Sequence, residues 1–180
     1  WTTITPGSWS SVALDQMQLV PLLTDNDVML IWVDTAGNTI YSRVYDEVTD
    51  TWDVGWTNIG TLVENTTYDQ WFSASTKKST GNVYLTFANN INNTTNDLAF
   101  WSYSDSTRTW TQKTDIITNS ATVMMPVPFI DENDGDIYVA YLRGTLASNM
   151  QVYYKKSTDG GTSWGSESSS LSPAVLDDHK

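Results

Sequence analysis

No cysteine occurs among the 180 residues, and histidine appears once, as His179. The first absence excludes a disulfide framework and a thiolate metal site; the second excludes a histidine-rich metal centre. Basic residues are also scarce. Nine Lys and Arg stand against 21 Asp and Glu, giving a formal net charge of −12 and a pI near 4.1. Such a chain has no basic stripe with which to release counterions from nucleic-acid phosphates or to hold an anionic membrane surface, so neither is expected as a partner. The acidity reads as a solubility device, or else as a calcium-linked or salt-adapted surface. No apolar run approaches the roughly 18–20 residues that a membrane helix needs, so membrane insertion is not expected. No segment combines helical periodicity with an N-capping signal. The chain begins at Trp1 without a methionine and carries no leader, which is the expectation for a trimmed or excerpted sequence. Missing cysteine does not fix the compartment. The glycosylation triplets at Asn65, Asn92 and Asn93 weigh little in a chain this rich in Asn and Thr.

Tryptophan, by contrast, is plentiful, and four copies recur in one setting. Trp1, Trp52, Trp110 and Trp164 are separated by 51, 58 and 54 residues. The segments VTDTW (48–52), STRTW (106–110) and GTSW (161–164) lead into three of them, and counting back five positions gives Glu47, Asp105 and Asp159. Upstream, DVMLIWVD (27–34), NVYLTFAN (82–89) and DIYVAYLR (136–143) align without gaps. Val28, Val83 and Ile137 share a column, as do Leu30, Leu85 and Val139, then Trp32, Phe87 and Tyr141. Apolar residues alternate along each segment, as in a half-buried strand. TIYSRVY (39–45), DLAFWSY (97–103) and QVYYKKS (151–157) supply the next strand of each repeat.

Each repeat holds four strand-like runs. In the second they are DQWFSAS (69–75), NVYLTFAN (82–89), DLAFWSYS (97–104) and TWTQKTDI (109–116). Four antiparallel strands repeated at a period near 54 residues describe an all-β fold built as β-propeller blades. The phase of the repeat assigns residues 13–62, 63–118 and 119–171 to three blades. Residues 1–12 are then the last strand of a preceding blade and 172–180 the start of a further one. Propellers close with roughly four to eight blades, and three do not close a ring alone. Either the chain is a segment of a larger protein or several copies complete the ring, and ends that cut through blades favour the segment.

Ser157-Thr158-Asp159-Gly160-Gly161-Thr162-Ser163-Trp164 resembles the Asp-box, S-x-D-x-G-x-x-W, of sialidase-like or BNR-repeat propellers, with degenerate copies at 45–52 and 103–110. The resemblance implies that the box turns between the third and fourth strands of a blade, its aspartate bonding turn backbone and its tryptophan packing between blades. Ser157, Asp159, Gly161 and Trp164, with Asp105, Trp110 and Trp52, are accordingly expected to be structural. A turn's backbone donors require an acceptor, and a tryptophan buries a large apolar area between sheets. A sialidase-like enzyme also implies three convergent arginines, a tyrosine–glutamate pair and an acidic proton donor. This chain has only Arg43, Arg108 and Arg143, and Arg108, in a box turn, is expected on the face opposite the other two. The family's Arg-Ile-Pro signature is absent, and no catalytic residue is assigned.

In such propellers the loops entering first strands and joining second to third strands gather around the central channel. The candidates there are Asp15, Asp69 and Trp71, together with Asp34, Asn89 and Arg143; Gln16, Gln70, Asp178 and His179 stand beside them. Acidic groups, an arginine and an aromatic suit sugars, by hydrogen bonding to hydroxyls and stacking on Trp71. The plainer reading makes them polar loop ends with Trp71 in strand packing. No cofactor is expected. Asp131-Glu132-Asn133-Asp134-Gly135-Asp136 looks calcium-like but lacks the EF-hand order, and it aligns with hairpin turns elsewhere. The expectation is an extracellular or surface-displayed recognition or scaffold module for a glycan or protein ligand. The competing classes are a glycoside hydrolase whose catalytic groups lie outside this segment, and a structural protein of a virion, filament or cell-surface assembly.

Overall fold

The computed structural model describes residues 14–34, 39–62, 72–88, 98–118, 123–144 and 151–169. Within them the chain is strands and turns, with one short 3-10 turn at Thr24–Asn26. The first sheet contains β1 (Leu14–Pro21), β2 (Val28–Asp34), β3 (Thr39–Asp46), β4 (Thr51–Trp52) and β5 (Thr57–Thr61), the last two both pairing with β3. The second runs β6 (Phe72–Thr76), β7 (Val83–Phe87), β8 (Ala99–Ser104) and β9 (Thr109–Gln112). The third has β10 (Val123–Ile130), β11 (Ile137–Arg143) and β12 (Gln151–Ser157). All pairings are antiparallel. Four strands, the number expected of each repeat, occur in the second sheet; the first has five and the third three. In the third, the segment after Trp164 still runs beside β12, through Gly165 N–H to the Lys156 carbonyl at 2.8 Å and Ser168 N–H to the Tyr154 carbonyl at 3.0 Å.

Register is the same in all three sheets, because Val28, Val83 and Ile137 stand opposite Tyr45, Tyr103 and Ser157. Alternation then decides the faces. Met29, Ile31 and Val33 of the first sheet share one buried cluster with Val83, Leu85 and Phe87 of the second. Tyr84 and Phe100, on the other face of the second sheet, share another with Ile137, Val139 and Tyr141 of the third. β7 is buried along its whole length because it is covered on both faces. Each fully buried side chain of this size contributes about 1.5–3 kcal/mol relative to exposure.

Polar groups tie the first seam. The side-chain amide of Gln16 bonds the carbonyl and N–H of Phe72 at 2.8 and 3.2 Å, and that of Gln18 bonds those of Ala74 at 2.7 and 2.9 Å. Two glutamines thus occupy the free backbone edge of β6, as a neighbouring strand would. Trp110 Nε1 donates to Ser42 Oγ across the same seam at 2.9 Å, and Trp164 Nε1 to the Thr114 carbonyl across the second seam at 2.9 Å. The Trp164 indole also meets Phe100 edge to face at 4.9 Å.

The turns before these tryptophans diverge. Asp46 and Ser104 close the first two by accepting from Thr49 N–H at 2.8 Å and Thr107 N–H at 3.3 Å. In the third, Gly161 N–H donates to Ser157 Oγ at 2.8 Å, and Ser163 N–H and hydroxyl donate to Asp159 at 2.9 and 2.5 Å. Gly161 has φ +86°, and a Cβ there would lie 2.2 Å from the Phe100 ring, so only glycine permits both the turn and the approach.

Asp105 departs from the expectation that a box aspartate bonds its own turn. Its Oδ2 accepts Leu23 N–H at 3.0 Å, Thr24 N–H at 2.9 Å and the Thr24 hydroxyl at 3.0 Å, all on the first sheet. The physical reason is that Ser104 already closes that turn, which leaves the carboxylate facing across the seam. Gly81 makes room for it, since a Cβ there would meet Asp105 Oδ2 at 2.2 Å. Glu47 contributes its backbone, donating N–H to Asp27 Oδ1 at 3.0 Å, as Asp105 N–H does to Asn82 Oδ1 at 3.2 Å.

Candidate functional site

Asp34 ends β2 opposite Thr39, and Arg143 ends β11 opposite Gln151. Shared register makes these one position in two sheets, so both stand at the same strand end. The corresponding Asn89 of the second repeat lies outside the described residues, as do Asp69, Trp71, Gln70, Asp178 and His179. Asp15 lies within β1. Gln16 is engaged with β6 and turned toward the seam.

Around Arg143 the third sheet assembles a polar cluster. Odd-numbered residues of β11 and β12 face the second sheet, which brings Tyr141, Arg143, Gln151, Tyr153 and Lys155 to one side. The segment following Trp164 lays Glu167 against them. Glu167 accepts the Tyr141 hydroxyl at 2.7 Å and an Arg143 terminal N–H at 2.5 Å. Tyr153 donates its hydroxyl to Gln151 at 2.7 Å, and Lys155 donates to the Ile116 carbonyl at 3.0 Å. Tyr141 is buried, whereas the Arg143 side chain keeps 31% of its surface and Glu167 23%.

Charge states follow from this packing. Burial, then the bond to Glu167, push the Tyr141 hydroxyl far above its ordinary range. Burial pushes Glu167 upward, but the hydrogen bonds from Arg143 and Tyr141 and the Arg143 charge outweigh it, and the carboxyl sits below its usual value. The bond to Glu167 raises Arg143 in turn. At neutral pH Glu167 is therefore ionised with both oxygens engaged, and Tyr141 keeps its proton. What the cluster offers is donors: a guanidinium carries five N–H groups in a fixed fork suited to carboxylates and sulfates, and Glu167 takes one arm of it.

No protein-family model and no curated protein matches this sequence. Among solved structures, the chain is similar to a polysaccharide lyase, PL25 ulvan lyase. Its complex with -[GlcA(1-4)Rha3S]- superposes at a TM-score of 0.62 and 16% identity, over 88% of this chain and 38% of that one. A second structure of that lyase gives 0.61 at the same identity and coverage. An α-L-arabinofuranosidase from Clostridium thermocellum covers 82% of this chain and 49% of its own at 16% identity and a TM-score of 0.44, and nothing rests on it. The likeness is one of fold. This chain spans 38% of the length of the lyase chain.

Arg43 and Arg108, expected on opposite faces, line one groove with Ser42, Asp53, Trp56 and Tyr103. The turn of the second sheet folds onto β3, and that contact brings them together. Arg108 pairs with Asp27, whose side chain is fully buried, and Arg43 donates to the Asp53 carbonyl at 2.8 Å and lies over the Trp52 ring at 5.9 Å. Arg143 stands apart on the third sheet. Residues 131–136 form the hairpin between β10 and β11; Asp131 accepts Asn133 N–H at 3.0 Å, and Asp136 pairs with Lys156. Among the described residues no group of three acidic, His or Cys side chains is arranged to hold a metal, and no helix is long and apolar enough to cross a membrane.

Sequence reasoning singled out Arg143 but not its partner Glu167, which sits three residues past Trp164 with no motif to mark it. Asp27, Asn82 and Asp136 were legible only as turn residues. Their common place, one residue before β2, β7 and β11, is the signal that could have linked them.

Proposed function

We propose that the three sheets are consecutive blades of a β-propeller, near residues 13–62, 63–118 and 119–171. In this reading the chain is an exported or surface-displayed glycan-recognition module that takes an acidic saccharide at Arg143. The observation that carries the reading is the Arg143 guanidinium, held at a strand end by Glu167 with Gln151 opposite it and one third of its surface free. A guanidinium in that setting matches a uronate carboxylate or a sugar sulfate better than a neutral hydroxyl. The blade reading is supported by face-to-face stacking in one register, by the Ser157–Trp164 turn, and by the fold shared with part of a polysaccharide lyase. That lyase was seen with a saccharide bearing a carboxylate and a sulfate, the chemistry proposed for this site. Binding is the reading the donors carry, since Arg143 keeps exposed surface while both Glu167 oxygens are already engaged.

Calorimetric titration with uronate-bearing and neutral oligosaccharides tests this. The acidic sugars bind, and Arg143→Ala weakens them at least about tenfold, or 1.4 kcal/mol, with the near-UV circular dichroism unchanged. Equal binding by the variant, or a preference for neutral sugars, removes the reading.

A further inference from the structure

The edge of the first sheet carries a feature that the second lacks. β4 and β5 both pair with β3, but the register steps between them: Trp52 stands opposite Tyr45 and Thr57 opposite Ser42. Arg43 and Val44 lie between those partners on one side and residues 53–56 on the other, so the edge holds two residues more than β3 does. In the second sheet β9 pairs with β8 without a break, from Ser104 opposite Thr109 to Trp101 opposite Gln112. Asp53 N–H still reaches the Val44 carbonyl at 2.9 Å, so the surplus falls on Val54 and Gly55. Val54 is fully exposed, and Gly55, at φ +96°, has open space where a Cβ would stand. Bulges of this kind gather at sheet edges and beside functional sites, where they re-aim side chains. This one borders the groove of Ser42, Arg43, Asp53, Trp56, Tyr103 and Arg108, a volume of about 280 Å³ between the first and second sheets.

Donors and acceptors stand side by side in this groove. Burial raises the Tyr103 hydroxyl to about 12, and both the Arg108 cation and the Asp53 carboxylate act on it, so a phenol, a cation and an anion lie close together. Arg43 and Arg108 are matched in number by Asp53 and the buried Asp27, which leaves no net charge for an oxyanion to find. Arg143 differs, because Lys155 adds a second cation beside Glu167. A sugar hydroxyl both donates and accepts, and so fits a mixed set that a carboxylate or sulfate does not. Trp56 lines the groove with 47% of its surface exposed, its ring held by edge contacts with Trp32 and Tyr41 at 6.4 and 6.2 Å. An exposed indole suits the C–H face of a sugar ring. We propose that this groove is a second saccharide site and that it takes an uncharged sugar ring. Its volume is near the lower end of the roughly 300–1,000 Å³ of small-molecule sites, which admits one ring rather than an extended chain. The two sites stand at opposite ends of the sheets: Val44 pairs with Met29 near the start of β2, whereas Arg143 holds the position of Asp34 at the end of that strand. The groove therefore stands whether or not Arg143 takes an acidic sugar.

Heteronuclear NMR of the 180-residue chain, titrated with methyl glycosides of neutral hexoses and deoxyhexoses, tests this. At least one of them is expected to shift the Gly55 and Thr57 amides and the Trp56 indole to saturation. Asp53→Ala and Trp56→Ala each weaken that binding at least about tenfold, with the remaining amide spectrum unchanged. Deleting Val54 and Gly55 gives the edge the unbroken register of β9 and abolishes the shifts; should that chain lose the spectrum of the parent, the two point variants decide. The methyl glycoside of a uronic acid binds the groove more weakly than its neutral counterpart. A panel that brings no saturable shift to Gly55 overturns the proposal, as does a uronate held there as tightly as the neutral sugar. Groove shifts that persist in Arg143→Ala uphold it; shifts that vanish in that variant overturn it and assign neutral sugars to Arg143. Acidic-sugar binding through Arg143, followed in the same samples, reports the other site separately, so either reading can fail while the other stands.

Discussion

The seam between the first and second sheets and the seam between the second and third bury equivalent apolar columns, yet they are fastened differently. Side chains cross the first: Gln16 and Gln18 onto β6, Asp105 onto Leu23 and Thr24, Arg108 onto Asp27. The second adds a backbone-to-backbone tie, Thr114 N–H to the Gly161 carbonyl at 3.3 Å, beside the Thr114 hydroxyl on the Thr162 carbonyl at 2.6 Å and Lys155 on the Ile116 carbonyl at 3.0 Å. Glycine makes the difference. Where Gly160 and Gly161 let the turn close on itself and lie against Phe100, its acid is used internally. Where the turn has no glycine, the matching acid reaches the neighbour instead. One repeat position thus does two jobs, and the apolar columns are what the seams have in common.

Removing what they share gives the largest effect. Trp110→Ala and Trp164→Ala are each expected to destabilise by about 3 kcal/mol, near the lower bound for tryptophan truncation because both rings are only partly buried. Phenylalanine at either site keeps the ring contact and loses one hydrogen bond, about 1 kcal/mol. Urea midpoints at unchanged slope check both, and a difference above about 1 kcal/mol between the seams would contradict a shared anchor.

Next come the ties peculiar to the first seam. Asp105→Ala leaves the Leu23 and Thr24 amides without their acceptor, and a loss of about 2–3 kcal/mol is expected. Asp159→Ala, on the exposed turn, shifts the urea midpoint less and leaves both seams intact. Arg108→Ala strips the buried Asp27 carboxylate of its cation while Glu47 N–H remains. Breaking a fully buried pair costs more, but Arg108 is 37% exposed and solvent screens it, so about 2 kcal/mol is expected. Substituting Asp27→Asn in the Arg108→Ala background should recover part of that loss, which a double-mutant cycle measures.

What was legible in the sequence follows the same division. Columns such as Val28, Val83 and Ile137 show in the sequence because a strand face repeats every second residue and each sheet repeats the whole pattern. Trp110 and Trp164 could be placed between sheets because a large apolar side chain after a polar turn needs a neighbour to cover it. The fate of a carboxylate was not legible. Asp105 and Asp159 occupy one column, and only the closure of each turn decides whether the group points inward or across. Glu167 escaped notice for a related reason: it meets Arg143 through the lie of the segment after Trp164, which no spacing rule specifies. Arg108 lies in the turn where the sequence put it, but its closeness to Arg43 was not legible, because the contact with Asp27 that positions it belongs to the preceding sheet.

The smallest effect separates the turns by pH. Hydrogen bonds from the Ser163 hydroxyl, the Ser163 amide and Ser157 hold the Asp159 carboxyl down to about 2, from a reference near 3.8. A depressed carboxyl stabilises the fold above its unfolded value, and that contribution disappears as pH falls through the folded one. The Ser163 amide should therefore keep its shift and its exchange protection through pH 4 and lose both with a midpoint near 2. Thr107 is the control, because its amide is held by the Ser104 hydroxyl, which has no proton to gain in this range. Amide shifts of the two residues, followed by NMR across the acid range, make the comparison within one molecule. A Ser163 midpoint at the reference value would mean that Asp159 gains nothing from its turn, and that the glycines alone, through their backbone freedom, give the third sheet its closed form.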